Sequence, residues 1–331
     1  MVATAMQSVR TVLRRPYAHL AGLAITVLVV QQFVESSSSL FLVQLMALYA
    51  LAALGLNIIL GMAGLLSVAQ AAVMALGGYT AGLLMIKAQL PFVVALLVAG
   101  AASAVLSAFV GLAALRISSH YFILVTLAVA EALSLLLINE EDLTGGYNGI
   151  GGIPPLVIGG LDLSSPLALA VVAIVTLFIG WYVADALAAS RSGHGIHAGG
   201  ADPQLAMASG INVARLRFGA SVTGGVYAGV AGALYAETLL YLGPGDFSLG
   251  KALLILLIVV IGGMGSNAGT VAAAVILVYL SEGLLRLTTV GPLVYGLGIM
   301  VILVIAPNGL DGVARRLRRA FGRILERRVA R

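Results

Sequence analysis

Stretches of about twenty apolar residues recur along almost the whole chain. One of them, FVVALLVAGAASAVLSAFVGLAAL at 92–115, carries no charge at all. As a helix, a run of that length matches the hydrocarbon thickness of a bilayer. Of the 331 residues 61% are hydrophobic and only 9% are charged, against roughly 25% charged in a soluble globular domain. So few charges cannot clothe a water-facing surface. In hydrocarbon only helices and closed barrels satisfy every backbone group internally, and runs this long are helical spans rather than barrel strands. The fold expected is an all-α polytopic membrane protein. The 41 glycines agree with it, because small residues let membrane helices approach closely.

Ten spans are predicted, at about 18–34, 40–60, 68–88, 91–115, 120–138, 166–189, 217–240, 251–264, 268–287 and 292–306. The third and eighth adjoin glycine-rich breaks, GMAGLLS at 61–67 and GGMGSNAG at 262–269, and are the ones expected to be short or re-entrant. The first run follows Arg10, Arg14 and Arg15, and no small-residue cleavage pattern comes after it. It reads as a span rather than a removable signal. The chain then divides into a tail at 1–17, a membrane domain at 18–306 and a basic tail at 307–331.

Charge orients these spans. An even number puts both termini on one side. That side holds Arg10, Arg14, Arg15, Arg116, Arg191, Arg215, Arg217 and the eight arginines from Arg315 to Arg331, while the other holds only Lys87, Lys251 and Arg286. The excess marks the cytoplasmic face. The arginine tail reads as an anchor on anionic lipid. It lacks aromatic interleaving and a neighbouring domain, so nucleic-acid binding is not expected.

Two soluble excursions remain, an outer one at 139–165 and an inner one at 191–216. In the outer one, Asp162 with Ser164 or Ser165 is placed to cap the next helix, and Pro166 suits its first turn. The inner one contains GGADPQLAMASGINVARLRF at 199–218. Asp202 is a good N-cap, Pro203 suits the first helical position, and Gly210 can take the left-handed conformation that ends a helix. Between them lie Gln204, Leu205, Ala206, Met207 and Ala208. A two-turn helix is unstable in water alone, so this one must pack on something, either the chain itself or a partner subunit.

Three carboxylates are read within or near spans, Glu131, Glu237 and Glu282, with Glu282 four residues before Arg286 as a pair. Such groups face the bundle interior or a water-filled path. Asn57, Gln70 and Glu131 are candidates for a polar hub or for lining that path. A proton relay is not expected, because no span holds a second acid near one of these and no histidine lies in a span core. The spacings Gly78-xxx-Gly82, Gly225-xxx-Gly229 and Ala228-xxx-Gly232 are helix-packing faces. Catalytic constellations are missing. There is no phosphate-cradling loop, no H-x-x-x-H pair and no G-x-S-x-G, and the absence of cysteine removes thiolate chemistry. His194 and His197 are read as lying in a glycine-rich loop, without a metal. The chain is expected to supply a path rather than bond chemistry, driven by an ion gradient or by a separate ATPase.

Several segments together resemble a known family. LNIILGMAGLLSVAQAAVMALGGYTAGLL (56–84), YFILVTLAVAEAL (121–133), LTGGYNGIGGIP (143–154), ASGINVARLRF (208–218), AGVAGALYA (228–236), VVIGGMGSNAGTVAAA (259–274) and IAPNGLDG (305–312) are similar to the LivM-type permease subunits of branched-chain amino acid ABC importers. The resemblance spans roughly 40–313. It implies a type II importer fold in the bacterial inner membrane and a LivH-type second permease as heterodimer partner. It also implies two cytoplasmic ATPases that bind the ATP, and a periplasmic binding protein that carries most of the specificity. The segment 202–210 would be the coupling helix that docks on an ATPase. Here the chain has Gly200 and Pro203 where the family pattern has an arginine and a glutamate. Urea and amide importers use permeases of the same kind, and a stand-alone ion-coupled transporter or channel is the reading from another class.

Overall fold

The computed structural model describes residues 16–33, 36–115, 117, 119–285, 309–310 and 312. The run expected at 292–306, Arg286 and the basic tail lie outside the described residues. Helix α1 spans Pro16–Phe33 and α2 spans Ser37–Leu56, continuing into a π-helical turn at Asn57–Met62. Helices α3 (Gln70–Lys87), α4 (Phe92–Ala114) and α5 (Ser119–Asn139) follow. After the outer segment come α7 (Pro166–Ala189), α8 (Arg191–Ala201), α9 (Pro203–Ala208) and α10 (Val213–Leu239). Two more helices, α11 (Leu249–Gly262) and α12 (Asn267–Leu285), flank the second glycine-rich break. Among the described residues, five helical segments are long and apolar enough to cross a membrane, at Ser37–Met62, Phe92–Ala114, Tyr121–Asn139, Pro166–Ala189 and Pro244–Gly262. Shorter apolar helices lie at His19–Gln32 and Asn267–Glu282. The chain is thus an all-α membrane protein in its main architecture.

Helix α10 lies at the centre. It packs against α4, α3 and α2, while α2 also contacts α7 and α12. Glycine makes the central contacts possible. A Cβ on Gly229 would strike Ser103 and the Ala99 carbonyl, and one on Gly225 would strike Ser107, so both face α4. A Cβ on Gly232 would run into the Met74 carbonyl and the Gly78 N–H, so that glycine faces α3. The AGVAGALYA stretch thus serves two neighbours at once. Gly82 differs from the expected helix face. What it meets is Ile150 and Ile153 of the outer segment.

The outer excursion is folded rather than a plain connector. It contains α6 (Glu141–Thr144), β1 (Ile150–Gly151), β2 (Val157–Ile158) and β3 (Leu161–Asp162). Strand β1 pairs antiparallel with β4 (Tyr241–Leu242), just beyond α10, and β2 pairs with β3 as a hairpin. The Tyr79 hydroxyl donates to the Leu242 carbonyl at 3.2 Å, and Lys87 Nζ donates to the Asp142 carbonyl at 3.0 Å. Ser165 caps α7 by accepting from the Ala168 N–H. Asp162 does not cap that helix. Its carboxylate accepts from the Ser164 N–H at 2.9 Å, and hydrogen bonding with Ser164 holds its pKa below the ordinary value.

Candidate functional site

Two polar centres and one exposed helix stand out from the apolar bulk. The exposed helix is α9. Asp202 is extended and its Oδ1 accepts from the N–H groups of Gln204 and Leu205 at 3.0 and 3.1 Å. Pro203 occupies the first turn, Ser209 closes the helix, and Gly210 follows at φ 80°. Each device answers the unsatisfied backbone groups that a short helix carries at its ends. Of the apolar residues, Ala206 is buried, whereas Leu205 is 66% and Met207 56% exposed. Gln204 and Ala208 are exposed as well. The helix therefore seats itself through one small side chain and presents its two large ones outward.

Residues 191–201 correct the expectation of a loop. Despite four glycines, RSGHGIHAGGA forms α8, capped by Ser190, whose Oγ accepts from the Gly193 N–H at 3.0 Å. His194 and His197 therefore lie on a helix. Tertiary contact overrides weak propensity here, because Gly193, Ile196 and Gly199 are buried. Gly200 is pressed against the Met62 carbonyl and the Gly64 backbone. His197 lies beside Gly265, where an added Cβ would sit 3.2 Å from the ring. Burial holds the His197 pKa below its ordinary value, with His194 pushing in the same direction.

The first polar centre begins where α8 ends. Gly265 donates its N–H to Asn57 Oδ1 at 2.8 Å. Asn57 Nδ2 donates to Asn267 Oδ1 at 2.9 Å, and Asn267 Nδ2 donates to Asp185 Oδ1 at 2.8 Å. His19 Nε2 lies 3.2 Å from Asp185 Oδ2. One chain of polar contacts thus joins α1, α7, the start of α12, the break before it and the π turn. A Cβ on Gly61 would collide with the Asn57 carboxamide and the Gly265 N–H, so the glycine-rich stretch is what lets the network close. π turns of this kind are frequent at functional sites. Gln70 makes a separate anchor, its Nε2 donating to the carbonyls of Ala52 and Gly224 at 3.0 and 3.2 Å.

Asp185, His19 and Asn267 were not among the residues singled out from the sequence. Asp185 lies near the end of an apolar run, and its partners are distant in the chain. The available signal was a fourth acid inside the run 166–189. The pair sets a histidine at the edge of the first run against an acid near the end of the run 166–189. It does not make a relay, because beyond Asp185 the network runs through carboxamides and a backbone N–H, which do not pass protons readily.

The second centre is at the opposite end of the bundle. Lys251 Nζ lies 3.6 Å from Glu282 Oε1 and 5.4 Å from the Tyr49 ring centre. Glu282 therefore has Lys251 as a partner, while the expected Arg286 lies outside the described residues. Glu237, at the end of α10, is buried, and neither carboxylate oxygen has a hydrogen-bond partner. Glu131 joins neither centre. It is exposed on α5.

A family model described as the permease component of the branched-chain amino acid transport system matches residues 38–306. The chain is 30% identical to the high-affinity branched-chain amino acid transport system permease protein LivM of Salmonella typhimurium, over 307 residues. It is 29% identical over 307 residues to the LivM protein of Escherichia coli. Each alignment takes in 86% of this chain and 72% of the relative. No solved structure matches the chain. The match over most of its length places the chain in the family of permease components of branched-chain amino acid transport systems.

Proposed function

We propose that the chain is one of two permease subunits of an ATP-driven importer of branched-chain amino acids, with ten spans and both termini in the cytoplasm. The second permease is a related chain of the LivH type. Two cytoplasmic ATPases bind and hydrolyse the ATP, a periplasmic binding protein delivers the substrate, and the assembly resides in the bacterial inner membrane. The chain itself performs no bond chemistry.

The observation that carries this reading is α9, capped at both ends, with Leu205 and Met207 outward. Burying two such side chains is worth roughly 1.5–3 kcal/mol each, so an isolated chain would leave a substantial binding energy unused. An ATPase cleft uses it. With Gly200 and Pro203 in place of charged residues, shape and apolar contact dominate the docking. Motion of α9 reaches the membrane through α8, which leans on the π turn at Gly200 and on Gly265 at His197. Glu131 fits the wall of a path between the two permeases, because a carboxylate facing lipid costs roughly 2.5–3.5 kcal/mol or more.

Deleting the two ATPases encoded with this chain, in cells lacking other leucine carriers, tests the proposal. Uptake of radiolabelled leucine should stop while the chain still reaches the membrane. Uptake that survives the deletion would place the chain among stand-alone transporters.

A further inference from the structure

Glu131 stands in the middle of an uncovered membrane face. Helix α5 is the least buried of the five long apolar segments. One side of it packs on α3 and α4. On that side Phe122, Thr126 and Leu137 are buried, and the Thr126 hydroxyl accepts from the Val68 N–H at 3.2 Å. The other side is open. Tyr121, Leu124, Ala128, Glu131, Leu135 and Asn139 are all exposed, and their spacing of three or four residues sets them in one stripe along the helix. Within the span Tyr121–Asn139, the helical rise puts Glu131 roughly 15 Å from one end and 12 Å from the other. It therefore lies near the middle of a hydrocarbon layer about 30 Å thick.

Other exposed faces ask for nothing but lipid. On α4, Leu97, Val105 and Phe109 are more exposed than Tyr121, and no charge interrupts that helix. Among the described residues, the other acids of the apolar helices are paired or buried. Asp185 meets His19 and Asn267, Glu282 meets Lys251, and Glu237 is buried. Glu131 is instead open at a depth where lipid offers no hydrogen bond, and an ionisable side chain left there is expensive. Its surroundings suit a neighbouring helix. Ala128, one turn earlier on the stripe, and Ala132 beside it are small and exposed, so another backbone can come close.

From this geometry we infer that the Glu131 face of α5 is a helix–helix contact with the second permease, whose facing helix sets a hydrogen-bond donor against Glu131 at mid-depth. The identity of that partner rests on the importer reading; the need for a donor inside the membrane rests on Glu131. A second copy of this chain fits poorly. A twofold axis along the membrane normal would bring the same residue of both copies to the same depth, and two carboxyls would meet. The acid thus selects a partner of different sequence. One polar group in an otherwise apolar seam also fixes the register of the two helices.

The test uses the full chain together with the second permease encoded beside it, in lipid. Leu135→p-benzoylphenylalanine places a photo-crosslinker one turn beyond Glu131, and Val105→p-benzoylphenylalanine places it on the apolar face of α4. Illumination should join position 135, and not position 105, to the second permease. Association of the two permeases is then measured by energy transfer on dilution with lipid. Glu131→Leu should weaken it about three- to thirtyfold, the range of a hydrogen bond between membrane helices. Glu131→Gln, which can still accept a hydrogen bond, should lose less. Ala128→Phe, which holds the helices apart and keeps the carboxyl, should weaken association too, and decides the matter if Glu131→Leu fails to reach the membrane. Val105→Phe should change nothing. Crosslinks from position 135 to lipid or to this chain alone, unchanged association in both Glu131→Leu and Ala128→Phe, or an equal loss in Val105→Phe would overturn the inference. ATP-dependent leucine uptake by the assembled complex is the separate readout of the importer reading. If uptake is present while these association results fail, the contact is wrong and the importer stands.

Discussion

Gly232 leaves no room for a side chain. A Cβ there would overlap the Met74 carbonyl at the centre of the α3–α10 contact. Gly232→Val should therefore destabilise the chain by at least the 1–3 kcal/mol typical of overpacking, read as a lower melting temperature of the detergent-purified protein; an unchanged melting temperature would mean the helices do not pack this closely. Asn57 matters through hydrogen bonding rather than volume. Asn57→Leu strands the Gly265 N–H and one side of Asn267, for an expected loss of about 1–3 kcal/mol for each stranded group in the same measurement. His197 adds a pH dependence. Its folded pKa lies below the ordinary value because the ring is buried beside His194, so the unfolded chain binds more protons. The stabilisation is complete above about pH 6.5 and is lost as pH falls through the lower folded value. Acidification from pH 7.5 to 5.5 should lower the melting temperature, and His197→Asn should shrink that shift. Residue-level legibility was uneven for a physical reason. Asn57 and Gln70 announce themselves as polar groups in apolar runs. Asp185 does not reveal its purpose until the fold brings His19 and Asn267 to it.

The helix α9 was legible because its signals are local. An acid, a proline and a glycine at suitable offsets report the cap, the first turn and the stop without knowledge of the rest. Asp202→Ala should loosen it by about 1 kcal/mol, as for other N-caps, and Asp202→Asn should be nearly neutral. Hydrogen exchange of the Gln204–Ala208 amides in the purified chain reads the difference, and equal exchange in the two variants would show that the cap contributes nothing. The adjoining α8 was not legible. Four glycines in eleven residues argue for a loop, and only burial of Ile196 and close packing on the π turn make it helical. The outer segment hid its order similarly, since β1 finds its partner β4 only beyond α10.

At the scale of the molecule, the apolar runs foretold the ends of the described long helices to within a few residues, because hydropathy is a local quantity. Their arrangement was not foretold. Nothing in a linear run says that α10 should be central, since its glycines serve α4 and α3 on different faces. A cysteine-free chain suits a measurement of orientation by labelling introduced cysteines. A cysteine at Ser209 should react with an impermeant maleimide only from the cytoplasmic side, and one at Ser164 only from the outside. Reversed labelling would invert the topology and remove α9 from the reach of an ATPase.

The most direct measurement is leucine uptake into proteoliposomes holding the chain, its second permease and the two ATPases, with binding protein and leucine outside and ATP inside. The account predicts accumulation that requires ATP and is abolished by Leu205→Asp combined with Met207→Asp, with the permease pair intact and the ATPases no longer co-purifying. Accumulation without ATP, or accumulation undiminished in the double variant, would contradict it.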